Sequence, residues 1–314
     1  MKYAPILIHT LDRSKHLADC IRSLQKNTHA RDTDLYISVD YPPSEKFAVG
    51  NSEIKALLSN GIEGFHKTYV FFQKENLGPS ENGRFIREKA FEYYDRFIAT
   101  EDDNVFSPCF LDYIDKGFDL YNDDDSVIAL CGHSYPINWP DRSRKTDRIN
   151  TLFDAWGYGM TRKDYLNIRS YIEDKLEERL RDPANMKKLY KKQSFIFQCA
   201  DSYLRGAGGD MLNNGRLRMM DQTIAMYMIL EKKHTIMPHI SLVRNMGDDG
   251  SGIHGGENPA RNSWSEQEIE RGDTFDFQSD DSGYDKRLDR RLNKYIELGL
   301  KAKIRNLVHL TYMI

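Results

Sequence analysis

Three carboxylates stand side by side at Glu101, Asp102 and Asp103, directly after the run Phe97-Ile98-Ala99-Thr100. Adjacent carboxylates repel one another and resist burial, so such a group at a strand end persists where a cation, or a substrate held by one, sits against it. Hard divalent ions such as Mg2+ or Mn2+ take oxygen ligands, usually one or two protein carboxylates with substrate phosphates and water completing the octahedron. A solvated acidic loop is the simpler alternative, but this one follows an apolar strand and leads straight into Phe106-Ser107-Pro108 and a helical pattern. The second acidic run, Asn122 to Asp125, has no apolar lead-in and reads as a solvated turn.

The elements that must position the triad alternate regularly. APILIH (4 to 9), DLYISV (34 to 39), KTYVFF (67 to 72) and RFIAT (96 to 100) are short runs rich in β-branched and aromatic residues. Between them Leu17, Ile21 and Leu24, then Ile54, Leu57 and Leu58, then Phe85, Ile86, Ala90 and Phe91 recur at helical spacing. A β-α-β-α-β-α-β order implies an α/β fold, a largely parallel, Rossmann-like sheet with helices on both faces. Ligands of such sheets bind beyond the carboxyl ends of the strands. There the chain places Thr10 and Arg13, then Asp40, then Asn76, then the triad. Arg13 at a helix start suits an anionic diphosphate, although HTLDRSKHL (9 to 17) also reads as a plain turn capped by Ser14. Asp12 and Asp40 share that simpler reading as cap or turn residues.

The second half is less regular. Residues 126 to 131 (SVIALC) read as a further strand, 172 to 192 as a solvated helical segment, and about 220 to 231 as an amphipathic or buried helix. GSGIHG (250 to 255) matches the dinucleotide fingerprint only formally, since it lies late in the chain and runs into Pro259 instead of opening a helix. No Walker A sequence is present. His254, in that Gly-rich loop, reads either as an ordinary loop histidine or as a ligand returning to the metal, and it joins Asp103 in the expected metal set.

Bulk properties narrow the classes. The chain has 314 residues, enough for one large or two modest domains, and its 45 basic against 48 acidic side chains give a net charge of -3, which argues against nucleic acid. Four cysteines without a CxxC pair suit a reducing compartment. The apolar run before His9 is short for a signal peptide, and no run approaches the ~18 apolar residues of a membrane span. A soluble cytoplasmic protein is expected. Residues 285 to 314 carry eight Lys or Arg and three acidic residues among regularly spaced Leu and Ile. They read either as helix packed on the main domain or as a peripheral contact with the inner face of the cell membrane.

PILIHTLDRS, YISVDYPP, IATEDDNVFSPCFLDYI and FDAWGYGM resemble the corresponding segments of GT-A fold nucleotide-sugar glycosyltransferases, in particular bacterial family 2 enzymes and the N-acetylglucosaminyltransferase I type. The resemblance covers residues 4 to 160 and resumes in MMDQTIAMYMILEKKHTIMPHISLVRNMGDDGSGIH. It implies a GT-A domain over 1 to 284, with a donor half (1 to 131) and an acceptor half (132 to 284), followed by the basic helical segment. It also implies a nucleoside diphosphate sugar donor, a UDP-sugar in the nearest pattern, a glycan or lipid-linked saccharide acceptor, and Mn2+ or Mg2+. By the same resemblance Arg13 meets the diphosphate, Asp40 the base, Asp102 the ribose and Asp103 the metal, with Thr10, Asn76 and Glu101 completing the donor set. The family's Trp-Asp pair, source of the catalytic base, matches Met220-Asp221 here, and Asp201 and Asp210 are further candidates.

The chemistry is consistent with that reading. An inverting transfer needs one base and one cation, and no Ser-His or Cys-His arrangement suggests a covalent nucleophile. Two other readings stand beside it. A nucleotidyltransferase acting on sugar phosphates would want a glycine-rich basic loop, and residues 9 to 16 contain no glycine. A non-catalytic nucleotide-sugar-binding module would have little use for the triad.

Overall fold

The computed structural model describes residues 3–139, 145–213, 216–250, 265–277, 286–296 and 298–313. Strands β1 (Ile6–Thr10), β2 (Leu35–Val39), β3 (Thr68–Phe72) and β4 (Arg96–Glu101) alternate with helices α1 (Ser14–Leu24), α2 (Ala48–Ser59) and α3 (Gly78–Ala90), as the periodicities require. All four strands pair in parallel in the order β3-β2-β1-β4, with Ile8 opposite Ile37 on one side and Thr100 on the other. β2 is buried on both faces, which is why LYISV shows no polar alternation.

The chain continues through β5 (Asn104–Phe106), α4 (Phe110–Leu120), β6 (Val127–Cys131), β7 (Thr146–Ile149) and β8 (Tyr158–Thr161). Later come the two-residue strands β9 (Leu212–Asn213) and β10 (Arg216–Leu217), then α9 (Asp221–Glu231), β11 (His234–Pro238) and β12 (Val243–Asn245). β8 inserts antiparallel between β4 and β6, and β11 lies parallel to β6 and antiparallel to β7. The product is a mostly parallel eight-stranded sheet, β3-β2-β1-β4-β8-β6-β11-β7, so strands from both sides of residue 131 share one layer. One apolar cluster, with Leu17, Ile54, Phe110 and Ile114, seats α1, α2 and α4. A second, with Ile86, Ile168, Phe197 and Met226, seats helices on the other face.

The charged stretch 172 to 192 differs from the solvated helix expected of it. It is the end of α5 (Arg162–Asp174), then α6 (Leu176–Arg181) and α7 (Pro183–Lys192), and Ile172, Leu176, Leu180, Met186 and Leu189 are buried. Those five already carry a helical spacing that the surrounding charge obscures. The break falls at Asp182-Pro183, where proline takes the first helical position and the Asp182 side chain accepts from Ala184 N at 2.9 Å. α9 is buried from Thr223 to Leu230 and stops at Lys232, whose φ of 57° is left-handed. α11 (Leu300–Met313) packs on α7 and on α8 (Ser194–Leu204), and α10 (Lys286–Tyr295) meets the end of α7, where Asn293 Nδ2 donates to Lys192 O at 2.6 Å. Among the described residues no helix is long and apolar enough to cross a membrane.

Candidate active site

From β1 the chain winds outward to β2 and β3, then returns to the other side of β1 as β4. That reversal leaves a crevice at the carboxyl ends of β1 and β4, the place where open α/β sheets take their ligands. Thr10 ends β1 and Arg13 follows it, and Asp102 and Asp103 follow β4, so residues about 90 apart meet. Thr10 Oγ1 donates to Asp102 Oδ2 at 2.5 Å. The Arg13 guanidinium forks across both acids, Nη1 donating to Asp103 Oδ2 at 2.7 Å and Nη2 to Asp102 Oδ1. Ser14 does not cap α1 as the plain-turn reading had it; its hydroxyl donates to Glu53 Oε2 at 2.6 Å.

A two-stranded ribbon completes the crevice. β12 pairs antiparallel with β5 and sets Asn245 opposite Asn104. Asn245 Nδ2 donates to Asp103 Oδ1 at 2.9 Å and to Asn104 Oδ1 at 3.0 Å, and Met246 N donates to Asp103 O at 2.8 Å. A Cβ on Gly247 would lie 2.2 Å from Asp103 Oδ2, so only glycine lets the backbone pass that close. Neither Asn245 nor Gly247 is among the residues expected from the sequence. The signal that could have found them is the NMG run following a short β-rich segment, late in the chain.

Asp221 opens α9, and the negative charges of Glu101 and Asp154 act on it or respond to it. Burial, with Asp154 adding its charge, pushes the Asp221 carboxyl up to about 8. Glu101 is likewise pushed up to about 8, by burial first, then by Asp103, Asp221 and Asp102 against the pull of Arg13. Asp102 is raised by burial although Arg13 and Thr10 favour its charged form. Arg13 is held charged: burial opposes it, but the two aspartates outweigh burial. His9 drops to about 4 through burial and the cations Arg87 and Arg13, and is neutral. Negative charge is thus in excess, the condition that a bound cation relieves.

FDAWGYGM contributes a second ion pair. Asp154 Oδ2 lies 2.7 Å from His133 Nδ1, and Asp154 Oδ1 accepts from Trp156 N at 2.9 Å. Burial would raise the Asp154 carboxyl, but His133 and these hydrogen bonds hold it below its ordinary value. Gln267 Nε2 donates to Ser134 O at 2.6 Å, which turns its Oε1 toward His133 Nε2 at 3.3 Å. Both ring nitrogens of His133 thus face an acceptor oxygen.

The remaining candidates divide. Asp40 follows β2 and accepts from Tyr41 N and Leu77 N at 2.9 Å each and from Gly78 N at 2.8 Å, so it caps α3 from another strand. Asn76 Nδ2 donates to Asp40 Oδ2 at 3.3 Å and to Tyr41 O at 2.6 Å, making one knot on the rim. Asp201 instead bonds Arg205 (2.6 Å) and His309 (2.9 Å) and ties α11 to α8. Asp210 lies in the short 3-10 turn Gly209–Met211. His254 falls outside the described residues.

Among the described residues no group of three or more His, Cys, Asp or Glu forms a metal cage. The donor chemistry nevertheless fits a hard divalent ion. Such an ion needs only one or two carboxylates when phosphates complete its shell, and Asp103 presents one where burial and neighbouring acids already raise Glu101 and Asp102.

No protein-family model and no curated protein matches this chain. Solved structures similar over part of it include the following three. Staphylococcus aureus TarS matches with a TM-score of 0.34 and 12% identity, over 50% of this chain and 28% of that one. TarS residues 1–349 match with a TM-score of 0.37 and 8% identity, over 74% and 57%. The mannosyltransferase PcManGT from Pyrobaculum calidifontis, in complex with GDP-Man and Mn2+, matches with a TM-score of 0.34 and 11% identity, over 51% and 46%. In each case this chain spans less than two thirds of the other's length.

Proposed function

We propose that this chain is a metal-dependent glycosyltransferase that moves a sugar from a nucleoside diphosphate donor to a hydroxyl of a glycan or lipid-linked saccharide, with inversion. The observation that carries the reading is the meeting of Arg13 with Asp102 and Asp103 at the winding reversal of the sheet, next to Glu101, whose carboxyl feels the charge of Asp221. In this reading Thr10 and Arg13 orient the acids, Arg13 meets the diphosphate, Asp102 the ribose, and the Asp40–Asn76 knot the base, a uracil by the motif resemblance. Held by Asp103, with His254 as a further ligand, Mn2+ or Mg2+ would neutralise charge growing on the departing diphosphate.

Asp221 is the base. Burial and Asp154 raise its affinity for a proton, and a carboxylate with raised proton affinity is a stronger acceptor for a hydroxyl proton. As the acceptor oxygen bonds the anomeric carbon, the bond from that carbon to the diphosphate oxygen breaks. Its electron pair leaves with the nucleoside diphosphate, and the hydroxyl proton passes to Asp221. One displacement inverts the anomeric centre.

The test is a thermal-shift panel with UDP, GDP, CDP and dTDP, each with and without Mn2+, on the wild type and on Asp103→Asn. One nucleotide should stabilise only with metal and only in the wild type; a ligand at ~100 times its dissociation constant adds about 2.7 kcal/mol. No shift under any condition would end the donor-site reading, and a transferred sugar of retained configuration would end the single displacement.

A further inference from the structure

The basic end of the chain has two readings in the sequence, packing or membrane contact, and the structure gives a different face of α11 to each. At about 100° per residue, Asn306 and Leu310 turn inward onto α7 and α8, where Asn306 Nδ2 donates to Ser194 O at 3.2 Å. On the outer side Leu300, Ile304, Leu307, Val308 and Tyr312 form one stripe, exposed by 74, 56, 50, 44 and 86%. Large apolar side chains repeated on successive turns of one face make a patch, unlike the single exposed residues of an ordinary surface. Lys303 borders the stripe on one side and the exposed Arg305 on the other, while the exposed Lys301 stands between Val308 and Tyr312.

Beside that helix lies an open groove of about 460 Å³ where the end of α7, the start of α8, α10 and α11 meet. Lys191, Lys192, Arg290, Lys294 and Lys303 line it with Ser194, and no carboxylate stands among the described residues of its lining. α7 carries four Lys or Arg, α10 five and α11 three, against the single acidic residue Asp289, in a chain whose net charge is -3. Lys191 and Lys294, from helices about 100 residues apart, bring two cations to one groove, and such a surface attracts anions.

We propose that this face docks on an anionic phospholipid surface, with headgroup phosphates in the groove and the α11 stripe in the boundary between headgroups and acyl chains. An apolar stripe flanked by cations is the pattern of a helix lying in a membrane interface. A second copy of the chain fits worse, because a two-fold contact through this face would set its cations against themselves. Free phosphate would fill the groove and leave the stripe in water. The proposal stands apart from the transfer chemistry.

The test is sedimentation of the full chain with vesicles of phosphatidylcholine alone and of phosphatidylcholine with phosphatidylglycerol, alongside sedimentation velocity without lipid and titration with inorganic phosphate. The protein should pellet with the anionic vesicles only, and high salt should release it. Binding should fall roughly a hundredfold in K191Q/K294Q/K301Q, about fivefold for each cation. I304S/L307S, which alters only exposed side chains, should also weaken it and serves if the triple variant fails to fold. Failure to bind anionic vesicles, or equal binding to neutral ones, overturns the proposal. So does a dimer dissolved by I304S/L307S, or phosphate binding, when either occurs without vesicle binding.

Discussion

Glu101 and Asp221 should make this protein lose stability as the solution becomes more alkaline, through a range where most carboxylates have finished titrating. Their carboxyls move from ordinary values of 4.5 and 3.8 up to about 8 in the folded chain, burial being the largest cause for both. A group that holds its proton more tightly when folded contributes stability that is complete below its unfolded pKa and lost as pH rises through its folded one. For Glu101 the distance from 4.5 to about 8, at about 1.4 kcal/mol per pH unit, amounts to about 5 kcal/mol. Asp221 moves through the same range and adds its own loss, because releasing its proton is a second unfavourable step. Urea unfolding in chelator should therefore show a fall of about 5 kcal/mol or more between about pH 5 and about pH 8.5. Asp221→Asn removes one charge from the pair and should halve that slope, while leaving the histidines common to both proteins. Equal slopes in wild type and variant would refute the account of a charge-crowded pocket, and so would a wild type indifferent to pH over this range.

Two other perturbations test the architecture. Gly247→Ala places a methyl group 2.2 Å from Asp103 Oδ2, so the carboxylate must turn away from Arg13 at Oδ2 or from Asn245 at Oδ1. The expected cost is about 1–3 kcal/mol, with metal-dependent nucleotide binding weakened by about tenfold or more, a loss of about 1.4 kcal/mol; unchanged nucleotide affinity would show that the ribbon does not shape the site. Asp201→Ala leaves Arg205 and His309 without their shared carboxylate and should cost about 1–3 kcal/mol. Protease should then cut α11 faster while the nucleotide-induced thermal shift stays as in the wild type; losing that shift would return Asp201 to the list of catalytic candidates.

The parts of the fold that show in the sequence are those built from local repetition. β1 to β4 and α1 to α3 carry their own period, and strand-end chemistry follows from topology, which is why Thr10, Arg13 and the triad stand where the alternation puts them. Asp221 joins Glu101 because α9 is one long apolar helix with a single acid at its start. β5 and β12 are three residues each, too short to show a period, and their pairing depends on partners about 140 positions apart, so Asn245 and Gly247 were not legible. The His133–Asp154 pair lies in two segments that look like ordinary turns until the sheet closes. In residues 172 to 192 the charges outnumber the buried Leu, Ile and Met and hide the core face. The basic groove is invisible for a similar reason, since α7 and α10 are distant in the chain.

The β5–β12 ribbon also sets an order of events. Asn245 reaches Asp103 across 142 positions of chain, and contacts of such separation come late because loop closure must precede them. The parallel strands β1 to β4 contain all they need before residue 102, so a chain leaving the ribosome can build that half of its sheet while Glu101, Asp102 and Asp103 are still attended only by Thr10 and Arg13. The last partners arrive when the segment after β11 has been made. A copy cut short before residue 243 would keep most of its strands and still lack a finished pocket, so completion of the crevice works as a check that the sheet behind it is whole.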